Sequence, residues 1–169
     1  MADGAEWSRG YARQASADFA MYQMLEDAST GEVCHRLQFL QMACEKLVKA
    51  TLCRADEGAA GAVQSSHAYV KRHLPTILRA EVALVNLPRA KAREVQQRGK
   101  HLAEEIDVLA PAVKRGGQRP DNCEYPWEDG NGTLHVPRDW SFIPAQLVVL
   151  PAGRTILRLI RSAIDRLVV

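Results

Sequence analysis

Four places in this 169-residue chain hold side chains that can do chemistry by type and spacing. In "YVKRHLP", Lys71, Arg72 and His73 form a compact cationic cluster ending in an imidazole, the side chain that exchanges protons near neutral pH. In "QQRGKHLAEE", Arg98 precedes His101 by three positions, which makes them neighbours on a helix surface, while Arg93 is offset. In "PAGRTILRLIRSAI", Arg154, Arg158 and Arg161 follow a four-three spacing opposite an apolar face, and a basic stripe of that kind can track phosphates. The fourth is "DNCEYPWEDGNGTLHVPRDW", with Tyr125, Trp127 and Trp140 and, just beyond, Phe142. Such rings bury large apolar areas while Tyr and Trp keep a polar tip. Each place also has a plainer reading: a solvated helix end, a solvated helix face, and aromatics plugging the open end of a helical core. Glu124, Glu128, Asp129 and Asp139 make the aromatic stretch acidic, which suits a protein partner better than phosphate.

The elements that must position these residues are bounded by composition. The length is that of one domain, 1–169, large enough to bury a core without disulfide or metal staples. With 47% hydrophobic and 25% charged residues the chain reads as globular, and a net charge of +2 means that any basic site must be local. Cys34, Cys44, Cys53 and Cys123 include no C-x-x-C pair, so neither a metal site nor a cofactor is expected. Three of them sit nine or ten residues apart in one helical pattern, roughly 14 Å at the helical rise, too far to pair. Buried reduced thiols fit the cytoplasm. No segment has the apolar length of a membrane span.

Helical periodicity runs along most of the chain. Ala15, Phe19 and Tyr22 mark a first helix over about 7–28. "STGE" offers a capping box from Ser29 to Glu32 for a second, whose stripe is Val33, Leu37, Leu40, Cys44, Leu47 and Thr51. Within it Glu45 and Lys49 are four apart in the favourable order and read as a solvated or half-buried structural pair. "ADEGAAGA" breaks the pattern, and a third helix runs from His67 to about Asn86 on Val70, Leu74, Ile77, Leu78, Val82 and Val85, with a kink or restart expected near His73 because of Pro75. Pro88 opens a fourth helix to about Leu109 with Val95, Leu102, Ile106 and Leu109 inward. From Ala110 to Pro144 no period persists. A fifth helix follows Pro151 on Ile156, Leu159, Ile160, Ala163, Ile164 and Leu167. The expectation is an all-α, up-and-down bundle of about five helices with a long irregular aromatic loop before the last.

In the order of its elements the chain resembles the HEPN superfamily of small helical bundles. "SADFAMYQMLEDA" with "CHRLQFLQMACEKLVKATL" resembles the family's first two helices, above all Glu45-Lys46-x-x-Lys49. In "KRHLPTIL", His73 and Leu74 match a Gly-His-Asp-Leu-like helix start, with Pro75 in place of Asp. In "CEYPWE", Tyr125 and Pro126 match an Arg-Tyr-Pro-Asp motif, with Glu124 in place of Arg. The resemblance implies a homodimeric bundle that contacts RNA, a nucleotide or an antitoxin-like partner protein in a bacterial toxin–antitoxin or defence system. Catalytic members are metal-independent ribonucleases with Arg, four to six residues, then His, the imidazole moving protons and the arginine balancing charge. Here Arg98 lies three residues from His101, Arg93 eight, and Arg72 is adjacent to His73, so none has that spacing. The reading is a binding member that cleaves weakly or not at all, with Arg72, Tyr125, Trp127, Arg154, Arg158 and Arg161 as binding candidates. A ribonuclease with displaced Arg98, His101 and His73, and a purely structural dimerising scaffold, remain the alternatives.

Overall fold

The computed structural model describes residues 2–28, 31–64, 69–110 and 121–169. Helix α1, Gly4–Asp27, begins on a capping box: the Glu6 amide donates to Asp3 Oδ1 at 2.7 Å and the Asp3 amide to Glu6 Oε2 at 2.9 Å. Helix α2 spans Val33–Ala55. A 3₁₀ turn, Glu57–Ala59, and a short α3, Ala60–Gln64, follow. Helix α4, Val70–Leu84, ends where Asn86 takes a left-handed φ of 47°, a conformation that asparagine tolerates at a helix end, and α5 is Arg89–Asp107. Two-residue strands β1, Trp127–Glu128, and β2, Leu134–His135, pair antiparallel. After a 3₁₀ turn at Pro137–Asp139 come α6, Ile143–Val148, and α7, Pro151–Val168.

The five long helices make an all-α bundle built from two helical hairpins and a closing helix. Cross-links fix the first hairpin as antiparallel: Ser8 Oγ donates to the Ala50 carbonyl at 2.9 Å, Lys46 Nζ meets Asp18 Oδ2 at 2.5 Å, and Arg36 Nη1 meets Glu26 Oε2 at 2.6 Å. In the second, the Lys71 amide donates to Asp107 Oδ1 at 3.1 Å while Leu78 faces Gly99. Helix α7 packs on α1, α4 and α5 through Ile156, Leu159, Ile160, Ala163 and Ile164, all buried, with Leu167 at the margin. Each fully buried aliphatic side chain stabilises by about 1.5–3 kcal/mol, which is what holds an amphipathic helix in place. Phe19, Tyr22, Leu37, Leu40, Leu47, Leu74, Leu78, Leu102 and Ile106 belong to the same core cluster.

Several expectations change. Helix α4 runs through Pro75 without a break; the proline removes one backbone donor, but Leu74 and Leu78 are fully buried on either side and hold the helix together. Val85 is the exposed C-cap of that helix and not part of its inner face. The stretch before α7 is not irregular throughout, since its described part contains β1, β2 and α6. Two-residue strands and a six-residue helix are too short to show a period. The glycine-rich break after α2 folds into the 3₁₀ turn and α3. Glu45 and Lys49 form a buried ion pair at 2.9 Å, not a solvated or half-buried one, because α1 and α4 cover α2 from two sides. Gln41 Nε2 donates to Glu45 Oε2 at 3.0 Å, and Lys49 Nζ lies 5.8 Å from the Tyr11 ring centre. Ser29, half of the expected capping box, and His67, the expected start of the third helix, lie outside the described residues, and the Glu32 carboxylate meets Arg138 Nε at 3.0 Å. All four cysteines are buried thiols, Cys44 at the centre, where burial pushes its thiol up to about 12.

Two glycines distinguish backbone from side-chain constraint. A Cβ on Gly153 would stand 2.0 Å from the Leu147 carbonyl oxygen, whereas one on Gly99 would meet only the mobile Cδ1 of Leu78, at 2.8 Å. Gly153→Ala should therefore cost about 3 kcal/mol in urea unfolding. Gly99→Ala should stay within about 1 kcal/mol of wild type, since its gain in helix propensity offsets the contact. Equal costs for the two would show that the α6–α7 corner yields as easily as a leucine methyl.

Candidate functional site

Among the described residues, a row of arginines and a concave surface coincide between α1 and α7. The inward face of α7 takes its aliphatic residues, which turns Arg154, Arg158 and Arg161 to one flank, above the last turns of α1. The α6–α7 corner, tight because Gly153 has no Cβ, brings Val148 and Val149 across one end. A half-open groove of about 420 Å³ results, floored by Phe19, Tyr22 and Leu157, with Glu26 and Asp27 on the rim opposite the arginines. That volume is within the roughly 300–1,000 Å³ of small-molecule sites.

The cations differ in how they are held. Arg161 Nε reaches Asp165 at 2.9 Å, and Arg158 Nη2 donates to Thr155 Oγ1 at 3.2 Å, while Arg154 has no side-chain partner among the described residues. Tyr22 is 3% exposed and lines the floor of the groove. Burial, then the nearby Glu26 carboxylate, raise its pKa above the usual phenol value, with Arg36 opposing, so the hydroxyl stays protonated. The groove therefore offers guanidinium groups to an anion, an apolar floor to a flat body, and carboxylates to its donors.

The histidines are elsewhere. Arg98 and His101 stand on the exposed face of α5, and His101 Nε2 is 3.7 Å from Glu105 Oε1. His73 is half-buried on α4 with its ring 5.9 Å from that of Tyr69; burial and then Arg72 lower its pKa, favouring the neutral imidazole. With Leu78 opposite Gly99, the α4–α5 register sets His73 about one helical turn beyond His101. Arg72 is exposed at the start of α4. Of the candidates from sequence, Arg154, Arg158 and Arg161 share one groove, and Arg72, His73, Arg98 and His101 do not line it.

Tyr125 and Trp127 belong to the β-hairpin. Trp127 is buried and Tyr125 is exposed, so the aromatic stretch only partly plugs the bundle. His135, which spacing did not single out, packs its ring 4.8 Å from Trp140 and 5.8 Å from Trp127, and its Nε2 is 2.9 Å from Asp129 Oδ2. Asp129 Oδ1 accepts from the Asn131 and Thr133 amides at 2.9 and 3.0 Å, and Gly132 takes a φ of 78°. The signal was "DGNG" between Trp127-Glu128 and Thr133-Leu134, the kind of turn sequence that closes a hairpin.

Among the described residues no group of three or more His, Cys, Asp or Glu is placed to hold a metal ion, and no single helix is long and apolar enough to cross a membrane. Comparison with protein-family models, with curated proteins and with solved structures returned no match.

The hairpin loop has a defined acid response. The His135 hydrogen bond first, then the Thr133 and Asn131 amides, lower the Asp129 pKa to about 2. The ionised carboxylate thus stabilises the loop fully above its ordinary value, and that stabilisation fades as pH falls through about 2. The Thr133 amide should keep its hydrogen-bonded NMR shift from pH 7 to pH 4 in wild type and lose it in Asp129→Ala. Loss near pH 5 in wild type would contradict the assignment.

Proposed function

We propose that the α1/α7 groove binds a phosphate-bearing ligand, RNA or a nucleotide, and that the protein is a HEPN-like binding member of a bacterial toxin–antitoxin or defence module acting as a homodimer. The observation that carries this reading is the alignment of Arg154, Arg158 and Arg161 along a groove floored by Phe19, Tyr22 and Leu157. Guanidinium groups match phosphate oxygens in geometry as well as charge. The apolar floor suits a base or ribose face, and Glu26 and Asp27 suit amino or hydroxyl donors. Binding rather than cleavage is favoured because His73 and His101 do not line this groove, and proton transfer to a bound phosphate needs an imidazole within hydrogen-bond reach.

Fluorescence anisotropy with labelled AMP and a labelled four-nucleotide RNA tests the reading. Arg154→Ala and Arg158→Ala should each weaken binding about tenfold or more, since charge-assisted hydrogen bonds contribute about 1.5–3 kcal/mol. Tyr22→Phe, which keeps the ring, should cost about three- to tenfold. Affinity for the RNA should fall with salt at a log–log slope of about −2, as expected for three cations on a single strand. Binding unaffected by these substitutions would move the site off the groove.

A cleavage assay in EDTA separates the ribonuclease alternative. Wild type should leave RNA intact; cleavage that disappears in a His73→Ala, His101→Ala variant would establish α4 and α5 as a catalytic face. Light scattering should give twice the monomer mass at micromolar concentration, and a monomer throughout would remove the dimer.

A further inference from the structure

The hairpin has a surface that the groove does not use. The register Trp127↔His135 and Glu128↔Leu134, with the Asp129 amide donating to the Thr133 carbonyl at 3.0 Å, makes Glu128↔Leu134 the pair without mutual hydrogen bonds. The amide and carbonyl of Leu134 consequently point away from β1, toward the open edge of β2. The ring contact of His135 with Trp127 sets those two inward, so alternation turns Leu134 and Val136 outward, and they are 69% and 41% exposed. Charged residues on the edge, lysine above all, are a common guard on exposed strands, and here the two outward residues are apolar. Pro137 ends the edge after Val136, so it can receive only a short segment.

The hairpin is tied down at several points. Trp127 and Phe142 anchor the hairpin in the core, Asp129 closes its loop, and Arg138 ties it to Glu32 on α2. A partner would meet a preformed surface and order little of this chain.

Charge specifies the occupant. Residues 121–143 hold one arginine against five carboxylates, a net charge of −4 in a chain whose total is +2. The single arginine, Arg138, is committed to Glu32, Glu128 stands opposite Leu134 in the hairpin, and Glu124 and Asp139 are exposed in the same segment. We infer that the open edge of β2 docks a short, extended, basic segment of a partner protein, taken up as a third strand with Leu134 and Val136 beneath its apolar residues and the carboxylates meeting its cations. This site is independent of the nucleotide groove and survives if that reading fails.

Anisotropy with labelled nine-residue peptides and the full chain decides it. A peptide alternating Lys with Val should bind at least tenfold more tightly than one alternating Glu with Val. It should weaken at least tenfold against a Leu134→Lys, Val136→Lys variant, whose two exposed positions leave the core untouched. N-methylation of alternate peptide amides on the pairing edge should abolish binding, and on the other edge should not, a result that charge attraction alone does not produce. Equal binding of the Glu peptide, indifference to the substitutions, or no binding at millimolar peptide would each overturn the proposal. So would self-association of wild type that the Leu134→Lys, Val136→Lys variant abolishes, because the occupant would then be a second copy of this chain.

Discussion

The close approach of Gly153 to the Leu147 carbonyl constrains how the last two helices meet. A side chain at that position would collide with backbone, and backbone cannot rotate aside as a leucine methyl can. The close corner lets α6 fold back against the start of α7, which sets both the depth and the rotation at which α7 enters the bundle. Rotation decides which residues go inward: Ile156, Leu159, Ile160, Ala163 and Ile164 do, and the arginines are left on the flank above α1. The groove is thus a by-product of packing α7, and its charge follows from which face of α7 the core consumed.

Polar groups inside the bundle have a different task. Ser8 with the Ala50 carbonyl, Asp18 with Lys46, and Gln41, Glu45 and Lys49 line the contact between α1 and α2, each satisfied by a partner. A buried ion pair adds little net stability, since desolvation offsets the attraction, but breaking one partner leaves a costly charge. Two of these links cross between the helices, Ser8 to Ala50 and Lys46 to Asp18, and they fix register, because a one-turn slip of α1 on α2 would break both. Gln41, Glu45 and Lys49 satisfy one another within α2. At the other end of α7, Arg166 pairs with the buried Glu81 of α4 and holds the last turn of the closing helix.

The two proposed sites sit on different frameworks and answer to different chemistry. The groove is cationic, lies between long helices and takes its shape from the core. The hairpin edge is acidic and apolar, lies on the shortest regular elements in the chain, and takes its rigidity from Trp127, Asp129 and Arg138. Segregating the charge in this way would let the two proposed ligands, an anion and a basic segment, bind without competing.

Helix existence and inner faces were legible in the residues alone. The four-three spacing of Leu37, Leu40, Cys44 and Leu47, and of Ile156, Leu159, Ile160 and Ala163, specifies a period of 3.6 whatever the neighbours do. The arginine stripe on α7 was legible for the same reason, as the complement of that face. The groove was not, because Tyr22 and Arg154 are separated by more than 130 residues and no periodicity relates them. The burial of Glu45 and Lys49 was equally hidden, since a helix does not record how many neighbours will cover it. The hairpin was written in "DGNG" but masked by strands only two residues long. Local spacing thus determined the helices and their apolar faces, which depend on backbone geometry within a few turns. Tertiary packing alone decided which charged groups converge and which are buried, because both depend on contacts between segments distant in the chain.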